Sequence, residues 1–367
     1  MNALQRLHAE QDQSPWLDFI DRKLIDSGRL AELVGMGIRG LTSNPTIFAK
    51  AVATGQYDTL IRREIAAGHD TRTIFEEIEV ADLGDAADIL RPVYDEADGA
   101  DGFVSIEVEP DLAEDSDASL DRARHLWRRL ARPNVFIKIP ATRAGLPAIE
   151  AAIGEGININ ITLMFSVDVY RDVARAYIAG LRRLQANGGD IRKVASVASF
   201  FVSRVDTKVD KALDAIGSGA ALAARGQAAI ANAKLAYHAY KEIFEGGEFE
   251  DLAAAGARVQ RCLWASTSTK NPVYRDVMYA EELIGPKTVN TLPTETIEAL
   301  LDHGVLSRTL DVGLDEAIAA IRAVESLGIR MTTVTDELIE EGVTAFGKSF
   351  TDLMEVIDAQ REALTPA

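Results

Sequence analysis

The sequence is poor in the residues that form covalent cross-links and metal sites. It has one cysteine, Cys262, so no disulfide can form within the chain. Cys262 lies in an apolar run, where we expect a small buried hydrophobic side chain. The five histidines share no motif, whereas a zinc enzyme needs clustered His or Cys ligands. We therefore expect neither a disulfide nor a metal ion.

Long apolar runs and positive charge are also scarce. No run approaches the roughly 20 residues that a membrane span needs, and the polar segment 1–13 lacks the apolar core of a secretory signal. We therefore expect a cytoplasmic protein. The 57 acidic side chains outnumber the 39 basic ones, for a formal charge of −18. This charge repels nucleic acids and anionic lipids, so we expect neither partner, and a phosphorylated substrate would need local cations.

What the chain does have is a regular alternation of short β-branched segments with longer helical patterns, which is typical of βα units around a parallel sheet. Helices are predicted at Leu120–Ala131, at Val167–Gln185 and over the alanine-rich stretch Ala220–Phe244. The alternative is a doubly wound open sheet, but the Gly-rich loop of that fold is missing after the first strand. We therefore predict an α/β fold, a (β/α)8 barrel. The eight predicted strands are Trp16–Ile20, Ile38–Ser43, Phe103–Val108, Val135–Ile139, Ile157–Leu163, Val194–Ala198, Arg261–Ala265 and Lys287–Asn290.

Helical patterning continues after the eighth strand, from about residue 294 to the end of the chain. Single barrels run from about 200 to more than 400 residues, so the length of 367 fits one barrel with additions. No linker rich in Pro, Gly and Ser divides the sequence. We predict a single domain, residues 1–367, whose extra C-terminal helices (about 294–367) pack on the barrel.

Strand periodicity places several polar side chains inside the predicted barrel. Alternate residues of a strand point to opposite faces, and the outer face packs against helices. In the segment 157–162 the isoleucines therefore face outward, and Asn160 and Thr162 face inward. The same argument turns Glu107 and Lys138 inward on the two preceding strands. All four lie toward the carboxyl ends of their strands, which is the catalytic face of such barrels.

Lys138 is the strongest catalytic candidate from the residues alone. Burial penalises the ammonium form, so an enclosed lysine can act as a free amine that attacks a carbonyl and forms a Schiff base. Glu107 or Asp18 would then move protons. The alternatives for Lys138 are a charge on an edge strand, or a structural ion pair with Glu107. A pyridoxal phosphate enzyme also uses such a lysine; a purified protein without a yellow chromophore would remove that option.

Seven segments, in chain order from the first strand to the seventh, together resemble the transaldolase family of class I, Schiff-base aldolases, in its longer bacterial branch. The combination of the Lys138 strand with the Gly-Ile-Asn-x-Asn-x-Thr-Leu pattern after it is the most specific part. The matching segments are Trp16–Asp18, Leu41–Pro45, Ser105–Val108, Ile137–Thr142, Gly156–Ser166, Ser199–Arg204 and Ala265–Pro272.

The resemblance implies a cofactor-free reaction in the non-oxidative pentose phosphate pathway. A dihydroxyacetone unit would move from sedoheptulose 7-phosphate to glyceraldehyde 3-phosphate. Lys138 would be the Schiff-base nucleophile, Glu107 and Thr162 would hold the water through which protons move, and Asp18 would act as acid and base at the C4 hydroxyl.

The resemblance also implies how the sugar phosphate binds. Asn44, Asn160 and Ser199 would bond hydroxyls of the donor, and Arg204 and Lys270 would hold the phosphate. Without the resemblance, Asn44 and Ser199 would be interpreted as helix caps and Arg204 as a surface residue. Many family members carry Arg, after a shorter loop, where this chain has Lys270. Lysine binds phosphate as a point charge, without the bidentate fork.

Two rival functions stay open at this point. A fructose 6-phosphate aldolase shares the fold and the lysine, but it has Gln and Tyr where this chain has Glu107 and Phe201. Phe201 cannot supply a phenolic proton, which favours transfer. A catalytically silent sugar-phosphate-binding protein is the other rival, although it would have no use for a buried amine. The sequence does not decide between a monomer and a homodimer.

Overall fold

A closed barrel of eight parallel strands forms the centre of the computed structural model, which describes residues 1–365. Each strand pairs with its neighbours in the sequence, and the eighth closes on the first. This confirms the predicted (β/α)8 fold. The strands are β1 Gln13–Leu17, β2 Gly40–Thr42, β3 Phe103–Glu107, β4 Val135–Pro140, β5 Ile159–Met164, β6 Ser196–Phe201, β7 Arg261–Ala265 and β8 Thr288–Leu292.

Helices connect the strands and continue beyond the last one. Several begin at the residue types that favour helix starts: the Ser166 hydroxyl, for example, accepts from the backbone N–H groups of Asp168 and Val169. The helices are α1 Ala3–Gln11, α2 Arg22–Asp26, α3 Arg29–Met36, α4 Pro45–Ala53, α5 Asp58–Ala66, α6 Thr71–Glu96, α7 Ser116–Leu130, α8 Gly145–Gly154, α9 Val167–Ala186, α10 Ser203–Ile216, α11 Gly219–Ala223, α12 Ala228–Phe244, α13 Glu250–Ala254, α14 Met278–Glu282, α15 Thr294–His303, α16 Leu314–Ser326 and α17 Met331–Leu364.

The first and sixth strands differ most from their predicted bounds, whereas the bounds of β7 agree. The first strand begins at Gln13 rather than Trp16, because the buried Gln13 amide finds partners inside the fold: it donates to the Leu283 carbonyl and to the Thr288 hydroxyl. The sixth strand extends to Phe201 rather than ending at Ala198, since its last residues pair with β7. Both errors concern polar or aromatic residues whose pairing partners are distant in the sequence.

The alanine-rich stretch Ala220–Phe244 is not one helix, which corrects the prediction. A turn at residues 224–227 separates α11 from α12, and Gly226 has a φ of 71°, in the left-handed region that favours glycine. Carboxylates of α10 stabilise the break. Asp210 accepts from the Gly226 N–H at 3.0 Å, and Asp206 accepts from the Ala229 N–H at 2.7 Å. Tertiary hydrogen bonds therefore outweigh the helix propensity of alanine here.

Aromatic side chains fill the interior of the barrel toward the amino ends of its strands. Trp16, Phe103 and Phe136 are fully buried there, with the rings of Phe103 and Phe136 stacked 4.2 Å apart. The outward-facing isoleucines of β4 and β5 pack against the surrounding helices. With the lower interior occupied, the polar inward residues are left at the carboxyl ends of the strands.

The C-terminal helices pack on this framework. The long helix α17 contacts α4, α5, α6 and α10, and it also reaches β5 at the carboxyl end of the barrel. Among residues 1–365, no helix is both long and apolar enough to cross a membrane.

Asp101 joins β1, β7 and the residue before β2 by charged hydrogen bonds. Its buried carboxylate accepts from the Ser14 hydroxyl, from Trp16 Nε1 at 3.0 Å and from Arg39 Nε at 2.8 Å, and Arg261 lies 3.4 Å away. Burial alone would raise the pKa of Asp101, but Arg261 and Arg39 hold that pKa below its ordinary value.

Replacement of Asp101 by Asn is therefore expected to lower the free energy of unfolding by about 3 kcal/mol at pH 7, since two arginines lose their buried counter-charge. Because the folded-state pKa of Asp101 is depressed, its contribution is present above the unfolded value of about 3.9 and is lost as the pH falls through the folded value. Urea denaturation measures both effects. The exposed Asp172→Asn is the control, and equal stability of the two variants would contradict the expectation.

Candidate active site

A cavity of about 490 Å³ opens at the carboxyl ends of the barrel strands. Its wall comes from the strand ends, the loops that follow them and α17. Nine of the ten residues singled out from the sequence lie on this wall, and Asn160 is the exception. The nine are Asp18, Asn44, Glu107, Lys138, Thr162, Ser199, Phe201, Arg204 and Lys270.

Lys138 lies on the wall of the cavity and is paired with Glu107. Its Nζ donates to Glu107 Oε2 at 2.8 Å and to the Ser43 carbonyl at 3.2 Å. The two charged residues are direct partners in the register of β3 and β4, so adjacent strands hold the pair. The ion pair that the sequence left open as an alternative is therefore present, and it lines an open cavity. Glu107 is placed to take the proton that Lys138 must lose before its amine can attack a carbonyl.

The two carboxyl groups that flank Lys138, those of Glu107 and Asp18, both have pKa values raised from their ordinary values. Burial raises the pKa of Glu107, an effect that Lys138 opposes and Asp18 reinforces. Burial likewise raises the pKa of Asp18, against the attraction of Lys138 and a 3.1 Å hydrogen bond from the Thr42 hydroxyl. A carboxyl group with a raised pKa is more easily protonated than an ordinary one, which suits it to both giving and taking protons.

Asn160 lies beneath the cavity rather than on its surface. It is fully buried, and its Nδ2 donates to the Ser105 hydroxyl at 3.1 Å. Its Oδ1 accepts from the Ser199 hydroxyl at 2.6 Å, and Ser199 does line the cavity. Ser199 therefore lies between Asn160 and the cavity, and the contact of Asn160 with the substrate that the resemblance implies stays a prediction.

Asn44 both caps a helix and lines the cavity. Its Oδ1 caps α4 by accepting from the Ile47 N–H at 3.2 Å, with Pro45 in the first turn. The residue also lines the cavity, where its Nδ2 is available to a ligand oxygen. The structure therefore contains the helix cap expected without the resemblance, together with a hydrogen-bond donor facing the cavity.

The end of β5 carries a backbone irregularity beside Thr162. The register with β6 shifts between Ile161 and Met164, and Leu163 has a φ of 57°, a left-handed conformation that is rare for leucine. Bulges of this kind redirect side chains and are frequent next to active sites. Here Thr162 and Leu163 both reach the cavity wall.

Two cations define one side of the cavity. Arg204 lies in the first turn of α10, where burial lowers its pKa and its guanidinium sits 5.1 Å from the ring centre of Phe201. No carboxylate among residues 1–365 forms an ion pair with Arg204. The exposed Lys270 donates to the Ser268 hydroxyl at 2.6 Å. An arginine in the first turn of a helix, with a second cation on the same cavity wall, is a site suited to a phosphate.

Several residues on the wall were not singled out from the sequence. Ser43, which accepts from Lys138, and Thr42, which bonds Asp18, belong to the same motif as Asn44. Gly342 and Phe346 come from α17, and no local pattern marks them. A Cβ added at Gly342 would lie 3.2 Å from Leu163 Cδ2, so this glycine lets α17 approach the strand ends closely.

In the part of the chain that the structure describes, no three His, Cys, Asp or Glu side chains are grouped to hold a metal ion. The polar groups on the cavity wall are an amine, carboxyl groups, hydroxyl groups and two cations.

Replacement by alanine should mainly affect stability at Asn160 and mainly affect KM at Ser199. Asn160→Ala leaves two buried hydroxyls without their partner, so we expect it to lower the free energy of unfolding by about 2 kcal/mol. Ser199→Ala should cost less stability and mainly raise KM, because Ser199 lines the cavity. Urea denaturation and steady-state kinetics separate the two. A raised KM with unchanged stability in Asn160→Ala would instead indicate direct contact with the substrate.

The sequence is similar to known proteins along nearly its whole length. The family described as transaldolase/fructose-6-phosphate aldolase matches residues 15–357. A protein named "Transaldolase" from Thermobifida fusca is 49% identical over 99% of this chain and 100% of its own length. "Transaldolase 2" proteins from Streptomyces avermitilis and Nostoc sp. are 47% and 46% identical, covering 100% and 97% of this chain and 99% and 97% of their own lengths. The chain therefore belongs to the transaldolase/fructose-6-phosphate aldolase family.

Proposed function

We propose that this enzyme is a transaldolase that transfers a dihydroxyacetone unit between sugar phosphates through a Schiff base on Lys138. Relatives that carry the name transaldolase and match nearly the whole chain support this activity. The observation that carries the mechanism is the Lys138 amine, held 2.8 Å from a carboxylate on the wall of a cavity that also contains two cations.

The reaction begins with proton transfer from the Lys138 ammonium to Glu107. The free amine attacks the ketone carbon of the donor, and the nitrogen passes a second proton to the carbonyl oxygen, which becomes a hydroxyl. That hydroxyl leaves as water, with Glu107 supplying the proton, and an iminium forms. Thr162, on the same wall, would hold the water through which these protons move.

Cleavage follows at the bond between C3 and C4 of the donor. Asp18 takes the proton of the C4 hydroxyl, the C3–C4 electron pair moves into the iminium, and the aldehyde product leaves. The remaining enamine on Lys138 attacks the aldehyde carbon of the acceptor, and Asp18 returns its proton to the new hydroxyl. Hydrolysis of the second iminium releases the new ketose. The raised pKa of Asp18 suits it to hold this proton between the two half-reactions.

The sugar phosphates would lie across the cavity with the phosphate at the cations. We assign sedoheptulose 7-phosphate and glyceraldehyde 3-phosphate as donor and acceptor, with Arg204 and Lys270 holding the phosphate. Asn44 and Ser199 would bond the hydroxyls of the dihydroxyacetone unit, and Asn160 would act beneath Ser199. Such cations are needed in a protein whose formal charge is −18.

Phe201 favours transfer of the dihydroxyacetone unit over simple aldol cleavage. Phe201 presents no hydroxyl to the cavity, so it cannot protonate the enamine and release free dihydroxyacetone. The enamine would then persist until an acceptor aldehyde arrives.

We also propose that residues 1–367 form one domain and that the protein acts in the cytoplasm. The contacts of α17 with four helices and β5 support a single domain, although residues 366 and 367 lie outside the described part. The cytoplasmic assignment rests on the sequence composition alone.

Borohydride reduction in the presence of fructose 6-phosphate should attach a three-carbon adduct to Lys138, as measured by peptide mass mapping. Lys138→Met should give no adduct and no turnover, while Lys50→Met, on an exposed site, should behave like the parent. An adduct on any other residue would overturn the mechanism.

Fructose 6-phosphate should be consumed appreciably only when erythrose 4-phosphate is added. Accumulation of free dihydroxyacetone without an acceptor would favour the aldolase.

Asp18→Asn should separate Schiff-base formation from carbon–carbon cleavage. We expect kcat to fall by about 10²- to 10⁴-fold, the usual contribution of a general acid–base group, while Lys138 still binds dihydroxyacetone as a reducible adduct. Because burial raises the pKa values of both Asp18 and Glu107, kcat/KM of the parent should fall with decreasing pH at values above about 4, the ordinary carboxyl range. Loss of the adduct along with turnover in Asp18→Asn would contradict this division of roles.

A further inference from the structure

The loop of residues 266–277, between β7 and α14, carries Lys270 to the cavity. Hydrogen bonds hold the beginning of the loop firmly. The Ser266 carbonyl accepts from the Ser203 N–H at 3.0 Å, and the Thr267 hydroxyl donates to Asn290 Oδ1 at 2.9 Å. Beyond this anchor the chain turns outward, and Lys270 is exposed. The position of the Lys270 ammonium therefore depends on its hydrogen bond to the Ser268 hydroxyl and on what holds the outer part of the loop.

Tyr274 joins the outer part of the loop to α10 by a hydrogen bond. Its hydroxyl donates to Asp210 Oδ2 at 2.6 Å. Within the described chain, it is the single side-chain hydrogen bond that joins residues 269–276 to α10. A turn inside the loop links Tyr274 to the lysine side, since its N–H donates to the Asn271 carbonyl at 3.1 Å. Arg204 is on α10 as well, so the Tyr274 hydroxyl connects the outer part of the loop to the helix that carries Arg204, in addition to the Ser203–Ser266 hydrogen bonds at the start of the loop.

The surroundings of Tyr274 provide space for its ring and an acceptor for its hydroxyl group. Asp210 is 7% exposed, and its other oxygen is held by the Gly226 N–H at 3.0 Å, so the carboxylate is already oriented. A Cβ at Gly226 would lie 2.9 Å from Tyr274 Cζ, and its φ of 71° also disfavours other residues. The break between α11 and α12 thus provides both the space for the tyrosine ring and the fixed acceptor for its hydroxyl.

How strongly Lys270 binds a phosphate depends on where its ammonium group lies. An ammonium group binds phosphate as a point charge on a flexible stem, without the bidentate geometry that lets an arginine align itself. The pull on a phosphate held by Arg204 falls with distance from the Lys270 ammonium. A loop free to swing outward would therefore weaken the phosphate site while leaving the Lys138 chemistry intact.

We propose that Tyr274 is a positioning residue for phosphate recognition: its hydrogen bond to Asp210 holds Lys270 at the distance from Arg204 that a substrate phosphate requires. The proposal rests on the proposed function, since it assigns the phosphate to these two cations. It predicts an effect on the affinity for phosphorylated ligands and none on Schiff-base chemistry.

The test is Tyr274→Phe, which removes the hydroxyl and keeps the ring. We expect KM for fructose 6-phosphate and the inhibition constant of inorganic phosphate to rise together, by about three- to tenfold, since a hydrogen bond to a charged group is lost. The kcat value should stay within about twofold. Borohydride trapping of Lys138 by unphosphorylated dihydroxyacetone should be unchanged.

Two further variants make the result specific. Tyr57→Phe is the matched control, because the Tyr57 hydroxyl makes an equally short 2.6 Å bond to Asp82 away from the loop; it should leave the phosphate inhibition constant unchanged. Lys270→Met should raise that constant by itself. Adding Tyr274→Phe to Lys270→Met should then have no further effect, because Tyr274 acts through Lys270.

The outcomes distinguish this inference from the function on which it rests. A parent enzyme without transfer activity or a Lys138 adduct would refute the proposed function. With an active parent, an unchanged phosphate constant in either Tyr274→Phe or Lys270→Met overturns the positioning role. So does a parallel loss of kcat and of dihydroxyacetone trapping, which would indicate general damage to the site.

Discussion

Lys138 and Glu107 carry opposite charges on adjacent strands, and their 2.8 Å contact depends on the rest of the barrel. Removing an ammonium and a carboxylate from water is costly, and only close pairing offsets the cost. The register of β3 and β4 places the two residues side by side. Fully buried rings, among them Phe103 and Phe136, fill the interior below and keep the polar groups at the open end. Chemistry is thus confined to one face of the barrel because the other part of the interior is packed.

The charge of the whole molecule opposes the ligand that this face has to bind. With a net charge of −18, the surface repels phosphorylated compounds until they reach the cavity. In the proposed function, Arg204 would offset this repulsion from the first turn of α10, and Lys270 from the loop that is hydrogen-bonded to α10. Both cations therefore depend on one helix, whose buried carboxylates Asp206 and Asp210 also shape the start of α12. The phosphate end and the helical layer outside the barrel form one connected unit.

Much of the fold and of the chemical end of the site is accessible to sequence reasoning. The two-residue period of a strand is a local property, so the sequence alone predicts that Lys138, Glu107 and Thr162 point inward. The alternation of strands and helices predicts the barrel, and the predicted bounds of β7 agree with the observed ones. Strand ends are less accurate, as at β1, because the pairing of polar residues such as Gln13 depends on distant partners.

The sequence by itself determined the barrel, the inward lysine with its carboxylate, and the family to which these motifs point. Tertiary structure alone decided that Asn160 lies beneath Ser199, that the alanine-rich stretch breaks at Gly226, and that Gly342 brings α17 to the cavity. The physical reason is the range of the interactions. Periodicity and propensity act between neighbours in the chain, whereas burial, hydrogen-bond partners and close approach join segments that only the folded barrel brings together.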